Sequence, residues 1–266
     1  MSERSPLVTY QQHGPVAVLT LTAPPANAYS YEMMRDLDEA VLRARFAPDV
    51  QAIVLTGAGD KFFCAGADIA MLERADATWK YYFCLHANET LSRLEQTPKL
   101  VIAALNGHTV GGGLEIALAC DLRVARRGGG KIGLPEVALG VLPGTGGTQR
   151  LARLVGKAKA IELMCEGRNF PAEEALSLGL VHSVLDGDAD AFRAAVIDYA
   201  RGFCAPGKAA LAVGHIKRAV QSGAEVPLEY GLALERELQA RLFASADARE
   251  GLAAYVHKRK AEFRGS

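Results

Sequence analysis

Residues Val16 to Thr22 (VAVLTLT) alternate apolar and polar positions as a half-buried strand does, and Pro24-Pro25 ends the run. Ser30 predicts the N-cap of a helix reaching about Phe46, with Met33, Met34, Leu37, Val41 and Leu42 on or near one face. Ile53-Val54-Leu55 reads as a short buried strand followed by the turn Gly57-Ala58-Gly59-Asp60, and a longer helix is expected from Thr78 to Leu94, ahead of Pro98. Leu100 to Leu105 (LVIAAL) reads as a fully buried strand, leading through Asn106-Gly107 to the triplet Gly111-Gly112-Gly113. The pattern returns to helix from Leu114 to Cys120, with Glu115 in its first turn. A further strand, Leu122 to Ala125, leads through Gly128-Gly129-Gly130 to Ile132 and Gly133-Leu134-Pro135-Glu136. Strand, turn and helix repeat, which predicts an α/β core.

After about Asp190 strand signals cease. Helical spacing occupies Phe192 to Phe203, Ala209 to Val220, Leu228 to Phe243 and Leu252 to Phe263, separated by Pro206, Pro227 and Ser245. The expected division is therefore a core over 1–195 and a helical layer over 196–266, whose Leu and Ala faces suit subunit packing or simply cover the core.

Composition narrows the class. Of 266 residues, 50% are hydrophobic and 23% charged, the balance of a globular chain able to bury its own core. Lys plus Arg and Asp plus Glu are both 30, and a net charge of zero speaks against a phosphate-tracking surface, so no nucleic-acid partner is expected. Cys64, Cys84, Cys120, Cys165 and Cys204 are odd in number and form no C-x-x-C pair or zinc spacing, which fits free thiols in a reducing compartment and no metal site. Met1 to Pro6 carries no apolar core of a signal, and no long apolar run follows. A cytoplasmic, membrane-free protein is the expectation.

The glycine-rich stretches first invite a nucleotide-binding reading. Neither Gly57-Ala58-Gly59 nor Gly144-Thr145-Gly146-Gly147 completes G-x-G-x-x-G, and no P-loop, G-x-S-x-G elbow or H-E-x-x-H helix occurs. What recurs is a small-residue turn just ahead of a helix: Phe63 to Ile69 (FCAGADI), and Gly111-Gly112-Gly113 before Leu114. Two N–H groups converging from such turns on one oxygen would make an oxyanion hole. Glu115 and Glu136 are the carboxylates placed to face the same cleft. On position alone Glu115 also fits an acid favoured by the helix dipole, and Glu136 a solvated loop acid. The apolar flanks of Glu115, Leu114 and Ile116 to Ala119, make its helix a buried one, where a carboxylate needs a partner or a task.

The stretches Asn106 to Asp121 (NGHTVGGGLEIALACD), Gly133 to Leu151 (GLPEVALGVLPGTGGTQRL) and Phe63 to Ile69 resemble the crotonase, or enoyl-CoA hydratase/isomerase, superfamily. The likeness continues through Gly156-Lys157, Ala172 to Val181 and Tyr255 to Phe263. This resemblance implies a crotonase-like spiral of ββα units with a C-terminal helical region, assembled as homotrimers or as a hexamer, a dimer of trimers. It implies that the N–H groups of Ala67 and Gly112 form the oxyanion hole, and that Glu115 and Glu136 add water syn across the Cα=Cβ bond of a 2-enoyl-CoA, Glu136 delivering a proton to Cα. Coenzyme A, as part of the substrate, would lie along Ala28, Ala65, Asp68 and Ile69, with Gly111, Pro135 and Gly144 nearby, and no cofactor is implied. Lys258 and Tyr255 would approach its nucleotide end. Met71, Leu72, Trp79 and Phe83, with Tyr82, lie in the segment that lines the acyl pocket in relatives, and their bulk implies a short or medium chain. Three departures stand out: Tyr29 where many relatives have leucine, Ala70 where many have lysine, and the glycine-rich Arg126 to Lys131. None of them is expected to touch the catalytic pair. Retention of both acids favours hydration over the sister reactions of the fold, enoyl-CoA isomerisation or cleavage of the acyl group, and over a non-catalytic CoA- or RNA-binding subunit.

Overall fold

The apolar run Leu100–Leu105 is a strand buried along its whole length, as continuous hydrophobicity requires of a parallel strand covered on both faces. It is the fifth of ten strands among the described residues, 4–265, of the computed structural model. These are β1 (Val8–His13), β2 (Val16–Leu21), β3 (Ala52–Gly57), β4 (Phe62–Cys64), β5 (Leu100–Leu105), β6 (His108–Val110), β7 (Leu122–Arg126), β8 (Ile132–Gly133), β9 (Asn169–Phe170) and β10 (Ser183–Leu185). The helices are α1 (Tyr31–Phe46), α2 (Ile69–Arg74), α3 (Ala77–Glu95), α4 (Gly112–Leu118), α5 (Gly147–Val155), α6 (Lys157–Glu166), α7 (Ala172–Ser177), α8 (Ala189–Arg201), α9 (Ala210–Gly223), α10 (Leu228–Phe243) and α11 (Ala246–Val256). Met1 to Glu3, part of the segment read for a targeting signal, lie outside the described residues. Among the described residues no helix is long and apolar enough to cross a membrane.

Six strands form one sheet in the order β1-β2-β3-β5-β7-β10, parallel except for β1, and β4-β6-β8-β9 form a second, smaller sheet. Three times the chain runs from a strand of the large sheet into a neighbouring strand of the small one and then into a helical turn: β3, β4, α2; β5, β6, α4; β7, β8 and a 3-10 turn over Glu136–Leu139. This is the spiral of ββα units that the resemblance implied. Because β4, β6 and β8 lie side by side and parallel, the residues leaving their C-terminal ends gather at one edge. Asn106 pins the first two units together. Its carbonyl oxygen accepts from Gly57 N at 2.9 Å, and its amide donates to the carbonyls of Gly59 and Phe62 at 3.1 and 3.3 Å.

Both faces of the large sheet are covered. Leu19, Ile53, Val101 and Ala103 pack with Met33, Leu37 and Leu91 of α1 and α3, while Val16, Val54, Ile102 and Val124 pack against Phe192, Val196 and Ala200 of α8. Ser30 caps α1 by accepting from Met33 N at 3.3 Å.

Two expectations are corrected here. The boundary at 195/196 falls inside α8, whose buried stripe spans Phe192 to Ala200 and belongs to the core, so the outer helical layer starts with α9. The last helix is not Leu252 to Phe263. Ser245 separates it from α10 as expected, but the helix starts at once with Ser245 as its N-cap, accepting from Ala248 N at 3.0 Å, and ends at Val256. Lys258 then takes φ 53°, and the chain folds back along α11. There Asp247 accepts from Arg264 N and Gly265 N, both at 2.8 Å, and Glu250 accepts from Glu262 N at 2.9 Å. Local polar partners, invisible to periodicity, win over the apolar spacing.

Candidate active site

The turn after β4 brings up the first backbone donor. Tyr29 bridges Ala67 in parallel fashion: Tyr29 N donates to Gly66 O at 2.9 Å and Asp68 N donates to Tyr29 O at 3.0 Å. That pairing uses the neighbours of Ala67 and turns its own N–H to the opposite side. The turn after β6 brings up the second. Gly111, at φ 56°, lets the chain reverse into α4, so that Gly112 N, at the first helical position, has no earlier turn to bond to. The point where a Cβ on Gly66 would stand is 3.4 Å from Gly112 N, which puts the two turns in contact. Gly112 itself admits no side chain, since a Cβ there would meet Tyr29 Cε1 at 1.7 Å.

Glu115, 2% exposed, projects from the first turn of α4 toward the N-terminus of α5. Its Oε1 accepts from Thr145 N at 2.8 Å and Gly147 N at 2.7 Å, and its Oε2 accepts from Thr145 Oγ1. Three donors and the positive end of a helix dipole meet the desolvation of a buried carboxylate. A carboxylate offers about four acceptor positions, so one remains for another hydrogen.

Glu136 sits one residue beyond Pro135, at the start of the 3-10 turn that follows β8. Its environment is the reverse of that around Glu115. Oε2 is buried with no hydrogen-bond partner among the described residues. Burial, and after it the negative charge of Glu115, push its pKa up to about 7, against the pull of its own backbone N–H and of Lys80. Lys80 holds its ammonium 5.1 Å from the ring centre of Phe83, one turn before Cys84 on α3.

The other sequence-predicted positions divide. Ala28 and Ala65 are half-buried beside the donor turn, with Ala65 N donating to Ala26 O at 3.1 Å, and Gly144 lies just before Thr145. Asp68 caps α2 by accepting from Met71 N at 3.1 Å, while Ile69 is exposed. Met71 packs on the core and Leu72 is half-buried. Trp79 stacks on Phe83 at 5.3 Å, and Phe83 stacks on Tyr29 at 5.5 Å. Tyr255 is 86% exposed and Lys258 is exposed beyond the end of α11, so these two are not drawn into the glutamate cleft of the same chain.

Thr145 and the Gly147 amide were missed from sequence. The only signal for them was that a buried Glu115 demanded donors. Of the three departures, Tyr29 reaches the pair through one intermediate residue: its hydroxyl is 3.3 Å from Thr145 Oγ1, which donates to Glu115.

Comparison with known proteins matches this architecture over nearly the full chain. The enoyl-CoA hydratase/isomerase family model matches residues 11–266. The short-chain-enoyl-CoA hydratase of Clostridium acetobutylicum is 38% identical over 256 residues, 96% of each chain. The (E)-benzylidenesuccinyl-CoA hydratase of Thauera aromatica is 37% identical over 262 residues, 97% of this chain and 99% of its own. Among solved structures, the enoyl-CoA hydratase of Geobacillus kaustophilus superposes with a TM-score of 0.94 at 43% identity, covering 99% of this chain and 98% of its own.

Proposed function

The chain belongs to the enoyl-CoA hydratase/isomerase family, and from that premise we propose that it adds water reversibly across the Cα=Cβ bond of a 2-enoyl-CoA, giving the 3-hydroxyacyl-CoA. The observation that carries this reading is the contrast between two carboxylates beside one pair of turns: Glu115 takes three donors, and Glu136 carries an unpartnered buried oxygen and a pKa near 7. Environments that push two acids apart divide them into acid and base.

In this reading the thioester carbonyl receives the N–H groups of Ala67 and Gly112, each worth about 2.7–4 kcal/mol at the enolate-like transition state. Glu115, through its remaining lone pair, takes a proton from water as the water oxygen adds to Cβ. Protonated Glu136 passes its proton to Cα on the same face, and the two acids re-equilibrate with solvent. Dehydration runs the same steps backwards. Each positioned acid or base typically contributes about 10²- to 10⁴-fold. Coenzyme A is part of the substrate, running past Ala28, the Ala65 to Ile69 turn, Gly111, Pro135 and Gly144, and the chemistry asks for no cofactor.

Relatives of similar identity are named for acyl groups as different as short-chain enoyl and benzylidenesuccinyl, so the reaction carries over more directly than the acyl group. The stacked Tyr29, Phe83 and Trp79 support a short or medium acyl chain, because they fill space along α3. Exposed Leu228, Tyr230, Phe243 and Val256 on α10 and α11 support assembly as a homotrimer or a dimer of trimers, to be read by light scattering. The five unpaired thiols support a reducing, cytoplasmic setting.

The test follows the enoyl-thioester absorbance of crotonyl-CoA with wild type, Glu115→Gln and Glu136→Gln, with the product identified by mass. Gain of one water by wild type, lost in both folded variants, is the expected result. Double-bond migration or acyl cleavage in place of water addition would move the chain to a sister reaction. A clear preference for C16 over C4 substrate would overturn the reading of a short or medium chain.

A further inference from the structure

Tyr29 touches three parts of the site at once. Its backbone holds the Ala67 turn through Gly66 O and Asp68 N. Its ring, 3% exposed, fills the space against Gly112 that a side chain there would need. Its hydroxyl lies 3.3 Å from Thr145 Oγ1. A threonine hydroxyl has one hydrogen, and Thr145 commits it to Glu115 Oε2. Thr145 Oγ1 must therefore accept at its other contact, and Tyr29 must donate. The hydrogen bonds run one way, from Tyr29 through Thr145 to Glu115, and each link polarises the next. Stacking on Phe83, with rings 12° from parallel, and of Phe83 on Trp79, 7° from parallel, supports the phenol ring in this orientation.

We propose that Tyr29 is a positioning residue for the hydration reaction, which acts through the Thr145 hydroxyl to hold the Glu115 carboxylate at a fixed place relative to the N–H donors of Ala67 and Gly112. One rigid side chain thus ties the water-activating base to the site of the thioester carbonyl. The proposal rests on the hydratase reading for its rate effect, but the hydrogen-bonded chain has a consequence of its own for stability.

The test is a cycle of Tyr29→Phe, Thr145→Val and the double variant, with Thr145→Ser as the conservative control. Each change removes a hydroxyl or a methyl and keeps the volume nearly constant. Tyr29→Phe is expected to lower kcat for crotonyl-CoA by about five- to tenfold, the scale of one net hydrogen bond, with KM moving less than about twofold because substrate binding is untouched. On Thr145→Val the same change costs nothing further, and on Thr145→Ser the full loss returns. Wild-type turnover from Tyr29→Phe, or an equal loss on Thr145→Val, overturns the proposal. If wild type adds no water to enoyl-CoA, only the hydratase reading falls. Urea unfolding of the same proteins then decides: Tyr29→Phe should lower the midpoint in the wild-type background and not on Thr145→Val, and additivity overturns the chain.

Discussion

Glu136 Oε1 lies 3.0 Å from the point where a Cβ on residue 111 would stand, and Gly111 holds φ 56° with ψ −131°. Glu136, the proposed general acid, and the turn that presents the Gly112 N–H are thus fitted to each other across the width of one absent methyl group. Gly111→Ala meets two penalties: a backbone conformation that L residues rarely adopt, and a close contact with a carboxylate oxygen. The expected outcome is a loss of stability of about 1–3 kcal/mol in urea unfolding. Steady-state assay of the folded variant should show a fall in kcat/KM of at least about 100-fold, the scale of one displaced donor or acid. Near-wild-type turnover would show that this contact does not set the place of either group.

A pKa near 7 for Glu136 fixes the direction of the pH dependence. In the proposed mechanism hydration uses protonated Glu136, so kcat/KM for crotonyl-CoA should fall about tenfold per pH unit above pH about 7. Hydration takes up no net proton, so the equilibrium constant is independent of pH and kcat/KM for dehydration of 3-hydroxybutyryl-CoA should follow the same profile. A hydration profile that is flat from pH 6 to 9 would remove Glu136 from the acid role.

The same shift has a thermodynamic consequence. The folded pKa of Glu136 lies above the ordinary 4.5, so the folded state holds this proton more tightly than the unfolded chain does, and stability falls as pH rises from about 4.5 to 7 and stays level above. Glu136→Gln carries no charge to desolvate. It should exceed wild type in stability by on the order of 1–2 kcal/mol above pH 7, solvent screening reducing the full value of the shift. The gain should vanish near pH 4.5, as urea unfolding at pH 4.5, 6 and 8 can establish. A gain of equal size at all three would have another origin.

Much of this arrangement is legible in the chain. β5 and α1 are read correctly because hydrophobic runs and faces of that length have one reading, and Ser30 marks a helix start that the capping bond to Met33 N realises. β8 and β9, two residues each, leave no periodicity to detect, although β8 aims Glu136. Burial of Glu115 could be inferred from Leu114 and Ile116, but its partners could not. Thr145 and Gly147 lie 30 and 32 residues away and meet it only through packing of α4 on α5. Tyr29 was visible as a departure, yet what it does depends on Thr145, a residue with no apolar pattern to reveal it.

The buried pair Lys217 and Asp121 couples the outer helical layer to the central strand β5. Lys217 Nζ stands 2.8 Å from Asp121 Oδ2 and donates to Lys99 O at 3.0 Å, and Asp121 accepts from Val101 N at 2.7 Å and Gln221 Nε2 at 2.8 Å. Burial raises the Asp121 pKa even beside this lysine, so the carboxylate depends on its cation. Lys217→Met leaves the negative charge buried and should cost about 3–5 kcal/mol near neutral pH. Without the lysine the folded pKa of Asp121 rises further above its unfolded value, so the deficit is largest at high pH and shrinks as pH falls through that raised pKa and allows the carboxyl to take a proton. Adding Asp121→Asn should recover part of the loss, because no charge then remains to be desolvated. Urea unfolding of the two single variants and the double at pH 5 and 8 provides the check. A double variant no more stable than Lys217→Met at pH 8 would mean that α9 is held by its apolar contacts and not by this pair.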